Sequence, residues 1–173
     1  MAKVDITNQE LMTRNLITLA EDRPLSEAYE LMQQNEIRHL LVTGGSGQIT
    51  GILSDRDVKL AMQPKSEGPT QGSGGKNKIY FTFNPGFKVR DFMSSPIQSV
   101  SERQSIEDTA RSMLFSKISA VLVLGPASEP KGVITTDDLL RILIWILESQ
   151  PSKTSLPIST LWEGDHPDLG YLN

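Results

Sequence analysis

Two short stretches place a hydroxyl and a carboxylate three residues apart behind the same aliphatic run. They are GILSDRD, Gly51 to Asp57, and GVITTDD, Gly132 to Asp138. Ser54 with Asp57, and Thr135 with Asp138, permit two kinds of chemistry. In the first, the hydroxyl accepts a backbone N–H at a helix start and the acid three positions on returns the bond, a reciprocal cap. The helix dipole favours an acid there as well. In the second, the carboxylate accepts both vicinal hydroxyls of a ribose, while the hydroxyl and the helix N-terminus receive a phosphate. The two are compatible: the hydroxyl can cap while the acid faces a cleft.

Other chemistries find little support. The chain has no cysteine, which excludes disulfides, thiolate catalysis and Cys-ligated zinc. GSGGKN, Gly72 to Asn77, misses a phosphate-binding loop, with Thr70 where Gly is needed and Asn77 where Ser or Thr is needed. GGSG, Gly44 to Gly47, reads as a strand turn because no helix opens after it. Asp165, His166 and Asp168 include a single imidazole, a weak metal set. No Ser-His-Asp arrangement has a supporting context. Neither catalytic residues nor a metal site are therefore expected. A net charge of −4 argues against nucleic acid as a partner. The longest apolar run, Leu139 to Leu147, is interrupted by Arg141 and is far short of the roughly 20 residues that cross a bilayer. The opening MAKVDITNQE lacks the apolar core of a secretory signal, so a cytoplasmic location is expected.

The elements that must position the two stretches come from an internal repeat. Shifted by 81 positions, Met12 falls on Met93 (93 − 12 = 81), Met32 on Met113, Ile37 on Ile118, Gly51 on Gly132 and Asp57 on Asp138. Each copy reads as an extended segment, a helix, two strands joined by a turn, and a second helix after the Ser or Thr: β-α-β-β-α, twice. Leu25, Ala28, Leu31 and Met32 share one helical face, as do Ile106, Ala110, Met113 and Leu114. Neither copy is large enough to be comfortable alone, so an α+β fold with the two repeats packed sheet to sheet is expected. The divisions expected are an N-terminal segment 1–10, a first repeat 11–62, a flexible inserted linker 63–88, a second repeat 89–148 and a tail 149–173. KIYFTFNPGF in the insert alternates and suggests a small extra strand, and Leu161 and Trp162 are possible anchors in the tail.

MTRNLITL…LSEAYELMQQNEIRHLLVT…GQITGILSDRDV resembles a cystathionine-β-synthase (CBS) domain, and MSSPIQSV…SIEDTARSMLFSKISAVLVL…PKGVITTDDLL resembles a second. Together they look like a stand-alone CBS pair, the Bateman module, from about Leu11 to Glu148. Two features depart from the pattern: Leu41 stands where the family often has Pro, and the connection from Met62 to Val89 is long. The resemblance implies pseudo-twofold symmetry and two clefts for adenosine-containing ligands, AMP, ADP or ATP, with S-adenosylmethionine or NAD(H) as further candidates. It implies a regulatory, non-enzymatic module that signals by conformational shift to a partner protein, commonly as a homodimer. Carried over by position, one cleft would combine Thr135 and Asp138 with Thr18, Ile37, Arg38 and His39. The other would combine Ser54 and Asp57 with Ser99, Ile118, Ser119 and Ala120, and Arg56 could reach phosphates from that side. On charge, the Asp138 cleft is expected to be the better site, with Arg38 and His39 at the phosphates. Arg38 as a solvated strand end and His39 as a structural histidine are the bland readings. The competing functional reading is a ligand-free dimerisation or adaptor module. A weaker third would put catalysis in the insert. The nearly all-apolar helix from Asp137 to Glu148 is expected to form part of a dimer interface, or else to be covered by the tail.

Overall fold

The hydrophobic pattern of each repeat resolves into a three-stranded sheet with helices against it. The computed structural model describes residues 6–67 and 78–149. In chain order the first elements are α1 (Asn8–Leu11), β1 (Thr18–Ala20), α2 (Leu25–Gln34), β2 (His39–Thr43), β3 (Ile49–Ser54) and α3 (Asp55–Leu60). Two strands of the insert follow, β4 (Gln63–Glu67) and β5 (Lys78–Thr82), then a 3-10 turn at Val89–Asp91. The second copy gives β6 (Ser99–Ser101), α4 (Ile106–Ser116), β7 (Ala120–Leu124), β8 (Pro130–Thr135) and α5 (Thr136–Glu148). The mixed α+β class and the repeated β-α-β-β-α order are as expected.

The sheets run β1-β2-β3 and β6-β7-β8, each with a parallel first pair and an antiparallel second pair. The middle strand is covered on both faces: Leu40, Leu41 and Val42 in β2, and Val121, Leu122 and Val123 in β7, are all buried. In α2, Leu25, Ala28 and Met32 point inward at helical spacing and are at most 1% exposed. Both first helices are followed by a left-handed residue that is not glycine, Glu36 (φ 53) and Lys117 (φ 54), which stops the helix and turns the chain into the middle strand. These two also obey the shift of 81 (117 − 36 = 81).

The compact units do not coincide with the sequence repeats. One, the nested unit, runs from Asn15 to Gln98; the other, the split unit, joins the residues up to Arg14 to those from Ser99 onward. The segment before each repeat therefore packs on the other repeat. In the split unit Asn8 N donates to Gln104 O (3.0 Å), Gln9 N to Glu102 O (2.9 Å), and Ile106 N to Ile6 O (2.8 Å). In the nested unit Val89 N donates to Arg23 O (3.0 Å), Arg90 N to Glu21 O (2.9 Å), and Leu25 N to Phe87 O (2.9 Å). Every atom pair in the second set lies at 81 positions from its counterpart in the first (89 − 8 = 81; 104 − 23 = 81).

Two expectations need correction. The segment 63–88 is not simply a flexible linker: β4 and β5 form an antiparallel ribbon, and Phe83 and Phe87 pack against the nested core. β5 is the extra strand expected from the alternation, and Phe81 and Ile79 are left 64% and 66% exposed on it. Leu114 does not share the inner face of α4; it is 63% exposed, while Thr109 is fully buried in its place. The reason is α1, whose Asn8 side chain is also fully buried and accepts the Thr109 hydroxyl at Oδ1 (2.9 Å). The suggested anchors Leu161 and Trp162 lie outside the described residues.

Candidate functional site

Strand β8 delivers Thr135 to the start of α5, and the hydroxyl and backbone of that residue close on Asp138. Thr135 N and Oγ1 donate to Asp138 Oδ2 (2.8 and 2.7 Å), and Asp138 N donates back to Thr135 Oγ1 (3.4 Å). The reciprocal cap is therefore real here. Asp138 is 8% exposed and is the one carboxylate among the buried polar residues described. Its second oxygen, Oδ1, lies 4.0 Å from Nη1 of Arg141, one helical turn on and 80% exposed. In the nested unit the Ser54 hydroxyl donates to Asp57 Oδ2 and Asp57 N returns a bond to Ser54 Oγ (3.3 Å).

Each cap is anchored to the segment that opens the middle strand of its own sheet. Asp55 N donates to Arg38 O (2.9 Å) and His39 pairs with Ser54 across β2 and β3. Thr136 N donates to Ser119 O (3.0 Å) and Ala120 pairs with Thr135 across β7 and β8. Thr18 pairs with Leu41 and Ser99 with Leu122, so each stands beside the middle strand near the same end. Ile37 and Ile118 are half-buried against their respective cores.

Thr18, Ile37, Arg38, His39, Ser54, Arg56 and Asp57 thus belong to the nested unit, and Ser99, Ile118, Thr135 and Asp138 to the split unit. Within the nested unit, Ser54 and Asp57 share a sheet end with the guanidinium of Arg38 and the imidazole of His39. The matching positions in the split unit are Ser119 and Ala120, beside Asp137 and Asp138. At the nested end the carboxyl of Asp55 is held below its ordinary value. The hydrogen bond from Lys59 (2.7 Å) is the main cause; partial burial opposes it, and the charges of Lys59, Arg38 and His39 add to the lowering.

Sequence reading missed three contributors. Arg141 was visible only as a break in an apolar run; its spacing of three from Asp138 was the available signal. Asp55, which lies between the hydroxyl and the acid of the first motif, has no part in the sequence reading. The glycines of the two motifs enter the sequence reading only as matched positions of the repeat, yet each is a seat for a methionine. A Cβ on Gly132 would stand 2.6 Å from Met12 Sδ, and one on Gly51 would stand 2.9 Å from Met93 Sδ and 2.8 Å from Ser94 O. Only a residue without a side chain admits these approaches.

A family model described as CBS domain matches residues 9–63 and 89–144. A CBS domain-containing protein of Dictyostelium discoideum is 25% identical over 146 residues, covering 84% of this chain and 97% of that protein. The CBS domain pair of protein MJ0100, solved in complex with 5′-methylthioadenosine and S-adenosyl-L-methionine, superposes with a TM-score of 0.63 at 17% identity. That match covers 83% of this chain and 99% of the other. The cytosolic domain of the Mg2+ channel MgtE, solved in complex with ATP, superposes with a TM-score of 0.57 at 20% identity, over 80% of this chain and 48% of the other. Among the described residues no helix is long and apolar enough to cross a membrane, and no group of three or more His, Asp or Glu is placed to hold a metal ion.

Proposed function

The chain belongs to the CBS domain family, and on that footing we propose that it is a regulatory module that binds an adenosine-containing ligand at its Ser/Thr-x-x-Asp loops. AMP, ADP and ATP are the first candidates, with S-adenosylmethionine and NAD(H) behind them. Asp138 and Asp57 accept ribose hydroxyls. Thr18, Ile37, Arg38, His39 and Arg56 in the nested unit, and Ser99 and Ile118 in the split unit, supply the flanking contacts, with the cations at the phosphates. The observation that carries this reading is the state of Asp138. A carboxylate 8% exposed is costly to bury unless it is hydrogen-bonded or paired, and the cap supplies such bonds to one oxygen. One oxygen is consumed by the cap, while the other lies 4.0 Å from an exposed guanidinium and keeps acceptor capacity for a ligand hydroxyl.

Signalling is then linkage: the ligand binds one arrangement of the chain more tightly and shifts the population that a partner protein meets. The outward face of α5 supports a homodimer as the working state. Leu140, Leu143, Ile144, Trp145 and Leu147 are all 47–61% exposed along it, more apolar surface than an isolated helix face ordinarily leaves in water. The same face, with caps already closed on themselves, also suits a ligand-free dimerisation module. Thermal-shift measurement against AMP, ADP, ATP, S-adenosylmethionine, NAD(H) and cyclic dinucleotides separates the two readings. Stabilisation by at least one adenosine compound, lost in Asp138→Ala, is expected; stabilisation by none of them leaves the adaptor reading.

A further inference from the structure

Two arms finish sheets that the repeats leave open. β8 and β3 are edge strands, and an unpaired edge presents a row of backbone N–H and C=O groups that proteins ordinarily cover or protect. In the split unit Thr13 and Val133 exchange backbone bonds in both directions at 2.9 Å, and Met12, 7% exposed, lies across Gly132. In the nested unit Ser94 and Ile52 exchange the same pair of bonds at 3.0 and 2.8 Å, and Met93 lies across Gly51. A further bond from Ser95 Oγ to Thr50 O (2.9 Å) ties the second arm down. Both bridges obey the shift that relates the repeats (94 − 13 = 81; 133 − 52 = 81).

The bridges fall two residues before the capping hydroxyls, Val133 before Thr135 and Ile52 before Ser54. Successive side chains alternate along a strand, so each bridged residue and its capping residue share a face. The arm is the last support on the outer edge of the strand before the loop begins. Docking of Met12 and Thr13 fixes the path by which β8 brings Thr135 to Asp138; Met93 and Ser94 do the same for Ser54 and Asp57.

We propose that Met12–Thr13 and Met93–Ser94 are positioning segments for the two Ser/Thr-x-x-Asp loops, so that arm docking and loop occupancy are thermodynamically coupled. Taken with the ligand reading above, on which this second step rests, the arm is the element through which occupancy reaches the rest of the chain. Coupling is reciprocal: whatever tightens the loop must tighten the arm by the same factor.

Amide hydrogen exchange on the full chain tests both steps. In Met12→Ala, the Thr13 and Thr135 amides are expected to exchange about tenfold faster or more, while Val123 in the middle strand and Leu40 in the nested unit keep their native rates. Met12→Leu, which refills the seat on Gly132, is expected to restore slow exchange. Faster exchange at Thr13 with Thr135 unchanged overturns the proposal. So does an equal rise at Thr13, Thr135 and Val123, which would mean plain loss of stability. With the native protein and ATP as the probe, protection of Thr135 is expected to be matched at Thr13. ATP that protects Thr135 but not Thr13 overturns the coupling. A chain that shows the Met12→Ala effect and ignores ATP keeps the positioning role and removes nucleotide as its input.

Discussion

Asn8 and Thr109 form a buried, hydrogen-bonded pair in a place where the other half of the molecule uses carbon. Their counterparts by the shift of 81 are Val89 and Ala28, both also fully buried. The split unit has thus exchanged an apolar contact for a polar one that is satisfied at both ends, since Asn8 Nδ2 also donates to Ser101 O (2.7 Å). Removing one partner should leave a buried hydroxyl without its acceptor, at a cost of about 1–3 kcal/mol. Asn8→Val is therefore expected to lower the denaturant midpoint clearly, whereas Asn8→Val with Thr109→Ala, which copies the nested unit, should recover most of the loss. Equal midpoints for the single and double variants would show that the pair does not interact. Asp138→Ala has a double consequence at this scale. Loss of the cap should cost about 1 kcal/mol, and adenosine-ligand affinity by calorimetry should fall about tenfold or more.

At the scale of elements, the two helices that follow the motifs differ most. α3 is six residues long and ends at Leu60, while α5 runs for thirteen. The short one carries an electrostatic signature at its first residue. Because the folded pKa of Asp55 is depressed, its stabilising contribution is present above the ordinary carboxylate range and is lost as pH falls through the depressed value. Lys59→Met should move the Asp55 titration upward, read from its carboxyl resonance by NMR, and adding Arg38→Ala should move it further. No upward movement would mean that Lys59 is not the main cause. The long helix carries an apolar signature. Ile144, 54% exposed, makes few contacts within its own chain to lose on the outer face, so Ile144→Glu should leave the fold of the single chain intact by circular dichroism. If α5 is a dimer interface, the same substitution converts the native dimer to monomer in light scattering; a native chain already monomeric at every concentration would remove the dimer.

For the whole molecule, the repeat was legible because it is a one-dimensional property: apolar spacing, glycine turns and capping residues all recur at one offset. The elements followed, and so did the two motifs. The grouping into compact units was not legible, because it depends on which copy each arm joins, and no local pattern in TNQELMT or KVRDFMS states that. The same limit hid the role of Gly51 and Gly132, whose reason is a methionine about 120 or 40 positions away (132 − 12 = 120; 93 − 51 = 42). Arg141 escaped for a different reason: it was read as an interruption of an apolar helix instead of a neighbour of Asp138. A direct check of the grouping is to express residues 15–98 alone. That fragment should unfold cooperatively, while residues 99–173 without the first fourteen should not; cooperative unfolding of the latter would contradict the split unit.

The crossed arms also set an order on biosynthesis. The nested unit is complete once Gln98 has left the ribosome, but Thr13 must wait for Val133, 120 residues later (133 − 13 = 120). At about 5–20 residues per second, that is roughly 6–24 s during which the Thr13 arm has been made and its strand partner has not. The interval is long compared with the folding of most small domains, so the nested unit can be finished before the Thr13 arm finds its place in the split unit.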